Sequence, residues 1–202
     1  MWEFLRAGGP VMFLLVLTSI IGIAFIIERG LALMRKKIIP PSVQLAIENS
    51  KSPADFPKLV QTCQSNPSPL SRLALLAHDH AKEPKDETTG LIETRARQEV
   101  LKMERGLVIL EIVVGIGPLL GLIGTIHGLI RLFAELGAAG VTDNTKLAAG
   151  ISVALNTTLM GLLVAVPALV AWSYYSKKVE ALAIEMEGHL DRFLRQLYRP
   201  KA

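Results

Sequence analysis

One cysteine, Cys63, stands alone in 202 residues. It excludes an internal disulfide framework, and no motif around it argues for a reactive thiol. The chain also lacks internal repeats and low-complexity segments. A third shortage is local. No Asp, Glu, Lys or Arg occurs between Ile112 and Ile130, or between Leu147 and Trp172. Titratable groups at membrane depth mark ion routes and proton relays, so these two stretches could line a path but would need a carboxylate from elsewhere to pass protons.

What the chain has in excess is apolar sequence. Half of it is hydrophobic, with a mean hydropathy of +0.40. The excess is concentrated in three runs, Val11 to Ile27, Ile112 to Ile130 and Leu147 to Trp172. A helix crosses a bilayer in about 20 residues, and these runs predict an all-α integral membrane protein with three transmembrane helices. An ordinary soluble enzyme is excluded. The first run ends in "ERGLALMRKK" with no small-x-small cleavage pattern, and only Arg6 against Glu3 precedes it. It reads as a retained anchor and not as a signal peptide.

The net charge is +4 and the pI about 9.3, but the placement of the cations argues against a nucleic-acid partner. Arg35, Lys36 and Lys37 follow span one, Lys102 and Arg105 precede span two, and Lys177 and Lys178 follow span three. The loop between spans two and three sets Arg131 and Lys146 against Glu135 and Asp143. By the positive-inside rule the N-terminus is outside, the segment from Arg35 to Arg105 is cytoplasmic, the turn after Arg131 is outside, and the C-terminus is cytoplasmic.

This topology divides the chain into residues 1–34, the outer N-terminus and span one; 35–87, a cytoplasmic helical loop; 88–175, a long helix entering span two, a short outer loop and span three; and 176–202, a cytoplasmic amphipathic helix. Within the loop, short helices are expected near 42–49, 53–64 and 69–82. Ser52-Pro53 and Ser68-Pro69 each read as an N-cap followed by proline at the first helical position. The segment "ETRARQEVLKMERGLVILEIVVG" passes from polar to apolar without an evident stop, which predicts one helix continuing into span two. In the tail, Val179, Leu182, Met186, Leu190, Phe193 and Leu197 recur at spacings of three and four. This amphipathic stripe continues span three and needs a surface, either the chain's own loop helices or another subunit.

Small residues mark where membrane helices meet. Gly117, Gly121 and Thr125 share one face of span two, with Gly124 and Gly128 beside them; Ala154, Thr158, Gly161 and Ala165 form a similar stripe on span three. Two such stripes would bring Thr125 and Thr158 together. A threonine in a membrane helix can also bond the carbonyl one turn back and serve only as glue. Asn156 and Thr157 are further inter-helix hydrogen bonders, worth about 1 kcal/mol each. Pro118 and Pro167 each free a backbone carbonyl inside a span, for a kink or a cavity lining. Glu111 lies near the start of span two, about 21 Å toward the cytoplasm from Thr125 by helical rise; it is either a solvated interfacial glutamate or a charge at the inner mouth of a pathway. His127 is turned about 200° from Thr125, toward the outer interface or a neighbouring subunit; as an intramembrane histidine it is also a candidate proton relay. His78, His80 and His189 have no companion ligand spacing, so no metal ion is expected, and no cofactor is called for.

"GPLLGLIGTIHGLI" (Gly117 to Ile130) and "LNTTLMGLLVAVPALV" (Leu155 to Val170), in this order of elements, resemble the MotA/TolQ/ExbB proton-channel family. Three spans and this length are similar to its ExbB/TolQ branch. The resemblance implies a homo-oligomer, a pentamer, around ExbD/TolR-like single-span partners whose aspartate accepts the proton. It implies Thr125 and Thr158 beside that aspartate, and Gly121, Gly124, Gly128, Asn156, Thr157, Gly161, Pro118 and Pro167 as lining or packing residues. It further implies a bacterial inner-membrane motor for biopolymer transport that passes work to a TonB- or TolA-like transducer. Two positions depart from the family pattern: Val153 stands where some members have glutamate, and His127 where an aromatic is frequent.

Two other classes compete. A structural scaffold would use the same small and polar residues only to pack helices. A membrane-embedded enzyme would need a converging acid, base and nucleophile, and no such set is visible.

Overall fold

The computed structural model describes residues 9–50, 52–139 and 144–198, without the side chains of Pro53, Ala138, Ala139 and Lys146. The N-terminal segment with Glu3 and Arg6, Asp143 of the turn between the second and third spans, and the last residues of the tail lie outside these. Every regular element among the described residues is helical. In chain order they are α1 (Gly9–Ala32), α2 (Arg35–Ile38), α3 (Pro41–Asn49), a 3-10 turn (Pro53–Asp55), α4 (Phe56–Ser65), α5 (Pro69–Asp79), α6 (Lys85–Glu104), α7 (Leu107–Ala139) and α8 (Asn144–Leu197). The apolar lengths able to cross a membrane are Gly9–Ala32, Leu107–Gly137 and part of α8 from Leu147 onward.

The helices sort into two compact units: residues 1–28 with 106–174, and residues 29–105 with 175–202. The first unit holds the spans. Only 17% to 33% of the most apolar window of each span is buried, so most of their hydrophobic surface faces outward, as hydrocarbon allows and water would not. Met12 and Leu15 of α1 and Leu110, Val113 and Leu132 of α7 turn inward. Val113 lies against Gly22 of α1 at a distance that leaves little room for a side chain there.

The second unit is the polar half. Ser68 caps α5 by accepting the Ser71 amide at 3.1 Å, with Pro69 at the first helical position. Ser52-Pro53 behaves differently from its expectation. Pro53 opens a 3-10 turn, Ser52 Oγ accepts from Ala54 N at 3.4 Å, and the α-helix starts only at Phe56. The core gathers Ile39, Val43, Ile47, Leu59, Cys63, Leu70, Leu73 and Ile92 around the tail of α8. From that tail Val179, Leu182, Met186, Leu190 and Phe193 are buried, and Leu197 is half-buried. Phe193 meets Phe56 edge-to-face at 6.1 Å between ring centres. The amphipathic stripe is therefore covered by the chain's own loop helices. Tyr198 closes the end of the tail, donating to the carbonyls of Glu83 (3.0 Å) and His80 (3.2 Å).

Glu99 of α6 is the one carboxylate among the largest fully buried side chains. It accepts from Arg72 Nε at 3.2 Å and Lys102 Nζ at 2.9 Å, with a second bond from the Arg72 guanidinium. Burial pushes its carboxyl up, but the hydrogen bonds and charges of Arg72 and Lys102 outweigh burial and hold it below the usual carboxylate range.

Where the sequence predicts one uninterrupted helix into span two, the structure has two. α6 ends at Glu104 and α7 begins at Leu107. Arg105 keeps right-handed helical angles, φ −46° and ψ −42°. The stop is Gly106, which disfavours helix by about 1 kcal/mol relative to alanine. The tail has no such residue at its entry, and α8 runs unbroken through it.

Candidate functional site

The seam between α7 and α8 begins with what is missing from its glycines. A Cβ on Gly161 would stand 2.6 Å from the Gly117 carbonyl oxygen and 3.0 Å from Gly121 Cα. A Cβ on Gly121 would stand 3.0 Å from Thr158 Cα. Both clashes are with backbone, which has little room to yield, so the helices come this close only because both positions are glycine. Gly117 faces Ala165, Gly128 faces Ala154, and Gly124 faces Thr157 along the same line.

Close approach brings three hydroxyls together. Thr125 and Thr158 share a hydrogen bond between their Oγ1 atoms. Thr125 Oγ1 also reaches the Ala154 carbonyl at 2.9 Å and the Gly121 carbonyl at 3.2 Å. Thr158 Oγ1 reaches the Gly121 carbonyl at 3.2 Å. Thr157 Oγ1 donates to the Ala154 carbonyl at 2.6 Å and lies 3.5 Å from Thr125 Oγ1. Thr157 is buried, whereas Thr125 and Thr158 are half-buried.

Each hydroxyl has one proton to give and lone pairs to receive. The Thr125–Thr158 pair can therefore be oriented two ways. Thr158 can donate to Thr125 while Thr125 donates to the Ala154 carbonyl. Alternatively, Thr125 can donate to Thr158 while Thr158 donates to the Gly121 carbonyl. Every proton has an acceptor in both arrangements. The order reverses by turning two hydroxyls, with no heavy atom displaced.

The remaining sequence candidates scatter. Asn156 is half-buried and takes no part in the hydroxyl cluster; Pro118 is half-buried and Pro167 exposed, each inside a continuous helix. Glu111 is exposed, one turn into α7. Among the described residues no three His, Cys, Asp or Glu side chains group as metal ligands.

Sequence reasoning underrated one place. A cleft of about 260 Å³ opens beside the seam, lined by His127, Arg131, Glu135, Val153, Ala154 and Thr157 among others. His127 does point away from Thr125, yet it shares this cleft with Thr157, which touches Thr125. No sequence signal marks it: Gly124 and Gly128 are themselves closed against Thr157 and Ala154 of the facing helix.

Three apolar helices and a glycine-lined seam carrying paired hydroxyls define a multi-pass membrane protein with a polar contact inside its spans. The sequence profile of the MotA/TolQ/ExbB proton channel family matches residues 65–188, and the chain belongs to that family. It is similar to ExbB-like protein 1 of Synechocystis sp., with 35% identity over 179 residues covering 84% of this chain and 68% of the relative. Similarity extends to ExbB-like protein 3 of the same organism, at 30% identity over 95% of this chain and 94% of that one. A Tol-Pal system protein, TolQ of Pseudomonas aeruginosa, shares 29% identity over 98% of this chain and 93% of its own length. Both ExbB-like relatives carry biopolymer transport in their names.

Proposed function

We propose that this chain is the proton-channel subunit of an inner-membrane motor that couples the proton motive force to energy transfer toward the outer membrane. The observation that carries the reading is the reversible hydroxyl pair Thr125–Thr158, set in spans that hold no carboxylate at their centres. Thr125 and Thr158 line the route; a single-span partner of the ExbD/TolR type supplies the aspartate that takes the proton. Both threonines keep part of their surface uncovered, which leaves an approach for that carboxylate. Gly121, Gly124, Gly128, Gly161 and Thr157 hold the seam, with Asn156, Pro118 and Pro167 on its flanks and Glu111 at the inner mouth. The subunit works as a pentamer, with its N-terminus outside and its C-terminus in the cytoplasm, and delivers work to a TonB- or TolA-like transducer.

A scaffold without ion flux is the second reading. It is favoured by the fact that every hydroxyl in the cluster also has a backbone carbonyl within reach. Proton flux into vesicles decides between them. The channel reading requires flux when the chain is assembled with the protein encoded beside it, and its loss in Thr158→Ala. Equal leakage with and without the chain would leave only the scaffold.

A further inference from the structure

The cleft beside the seam is built unlike a packing defect. Gly9, Gly124, Gly128 and Gly150 line it, with Val153 and Ala154 as an apolar wall. One edge carries His127, Arg131 and Glu135, each four residues after the last, so the three lie on one helical face. Arg131 and Glu135 approach to 3.9 Å as an ion pair. The inner end is Thr157, whose hydroxyl lies 3.5 Å from that of Thr125. The cleft is large enough for several water molecules, and His127, Arg131, Glu135 and Thr157 offer them polar partners. Among the described residues, those lining it from α1 and α8, Gly9, Gly150, Val153, Ala154 and Thr157, are not titratable, and Arg131 and Glu135 are the described ionisable groups that share it with His127.

We infer that this cleft is a water-filled proton inlet on the outer side of the seam, with His127 as its proton-accepting group and Thr157 as its inner terminus. The inference rests on the proposed channel reading for its direction, since His127, Arg131 and Glu135 run outward from Thr125. An imidazole ring carries two nitrogens, one able to accept a proton while the other donates one. The exchange balances. A hydronium ion in the outer water protonates the imidazole and leaves water. The imidazolium then passes a proton to a cleft water bonded to Thr157, and neutral His127 is restored. From Thr157 the hydroxyl pair Thr125–Thr158 is the next polar group inward.

Two measurements test it. The first is labelling with a membrane-impermeant thiosulfonate added from the outer side. Cys63 is buried and burial pushes its thiol up to about 11, so the wild-type chain is the blank. His127→Cys and Thr157→Cys should label, and Leu159→Cys, exposed on the apolar surface, should not. Absence of labelling at both cleft positions overturns the wet cleft. The second is proton flux into vesicles containing the chain with its neighbour-encoded partner, followed against outer pH. Wild type should show an inflection in flux against outer pH. His127→Phe should lose that inflection and fall about tenfold in flux, at the lower end of what a positioned proton-transfer group contributes. His127→Gln, which keeps the cleft polar, should lose the inflection while retaining more of the flux. Wild-type flux with an unchanged profile in His127→Phe overturns the role of His127 alone; absence of flux in wild type overturns the channel reading and this one together.

Discussion

Thr125 and Thr158, 33 positions apart in the chain, are hydrogen-bonded to each other across two helices whose backbones touch at Gly121 and Gly161. The contact joins a proton-ordering element to a packing element, and the two can be separated by substitution.

Replacing a hydroxyl by a methyl group of similar size tests the first. Thr125→Val retains volume and leaves Thr158 the Gly121 carbonyl as acceptor. It should lower stability by only about 1 kcal/mol, the value of an inter-helix hydrogen bond in a membrane, while abolishing proton-driven function. Thr125→Ser should retain function. Assembly is read by native gel and function by vesicle acidification; full activity in both Thr125→Val and Thr158→Ala would remove these threonines from the route.

Adding one carbon tests the second. Gly161→Ala forces a Cβ against the Gly117 carbonyl and Gly121 Cα, and overpacking of this kind costs about 1–3 kcal/mol. Gly115→Ala and Gly137→Ala, where nothing lies within 4 Å, should be close to neutral. Thermal unfolding in detergent ranks the three; equal melting temperatures would mean the seam is looser than described.

The tail offers a packing test free of the membrane question. Phe193 is 0% exposed, while Ile184 on the same helix is 63% exposed. Phe193→Ala should destabilise the second unit by about 3–5 kcal/mol, and Ile184→Ala should do far less. Proteolysis of residues in α4 and α5 provides the readout.

Acid stability should follow Glu99. Its carboxyl titrates below the usual range in the folded protein, so the folded state binds its proton less readily than the unfolded chain does. That difference contributes stability above the unfolded carboxylate pKa and is lost as pH falls through the lowered folded value. Glu99→Gln should therefore be less stable at neutral pH and show a flatter acid limb. An unfolding-versus-pH series on both proteins gives the comparison.

The spans, the glycine faces and the meeting of Thr125 with Thr158 were legible because helical period and residue size determine which faces can approach. The amphipathic tail was legible as a stripe, but a stripe does not name its cover; Phe56, distant in sequence, does. The break at Arg105–Gly106 was missed because a single glycine weighs little against a long polar-to-apolar run. The cleft at His127 was missed for another reason. A helical wheel gives direction and not free volume, and this volume is lined from α8 by Gly150, Val153, Ala154 and Thr157, which no wheel of α7 contains.

The clearance at Gly161 also bears on how this membrane unit can move. A slide or roll that brought a neighbour bearing a Cβ to that point would press carbon into the Gly117 carbonyl, so the two helices have no freedom to shear past one another or to unzip by small steps. In this region α7 and α8 behave mechanically as one stiff blade. A movement of either helix here must therefore be a tilt or turn of the pair together, with the hydroxyls carried along in unchanged register.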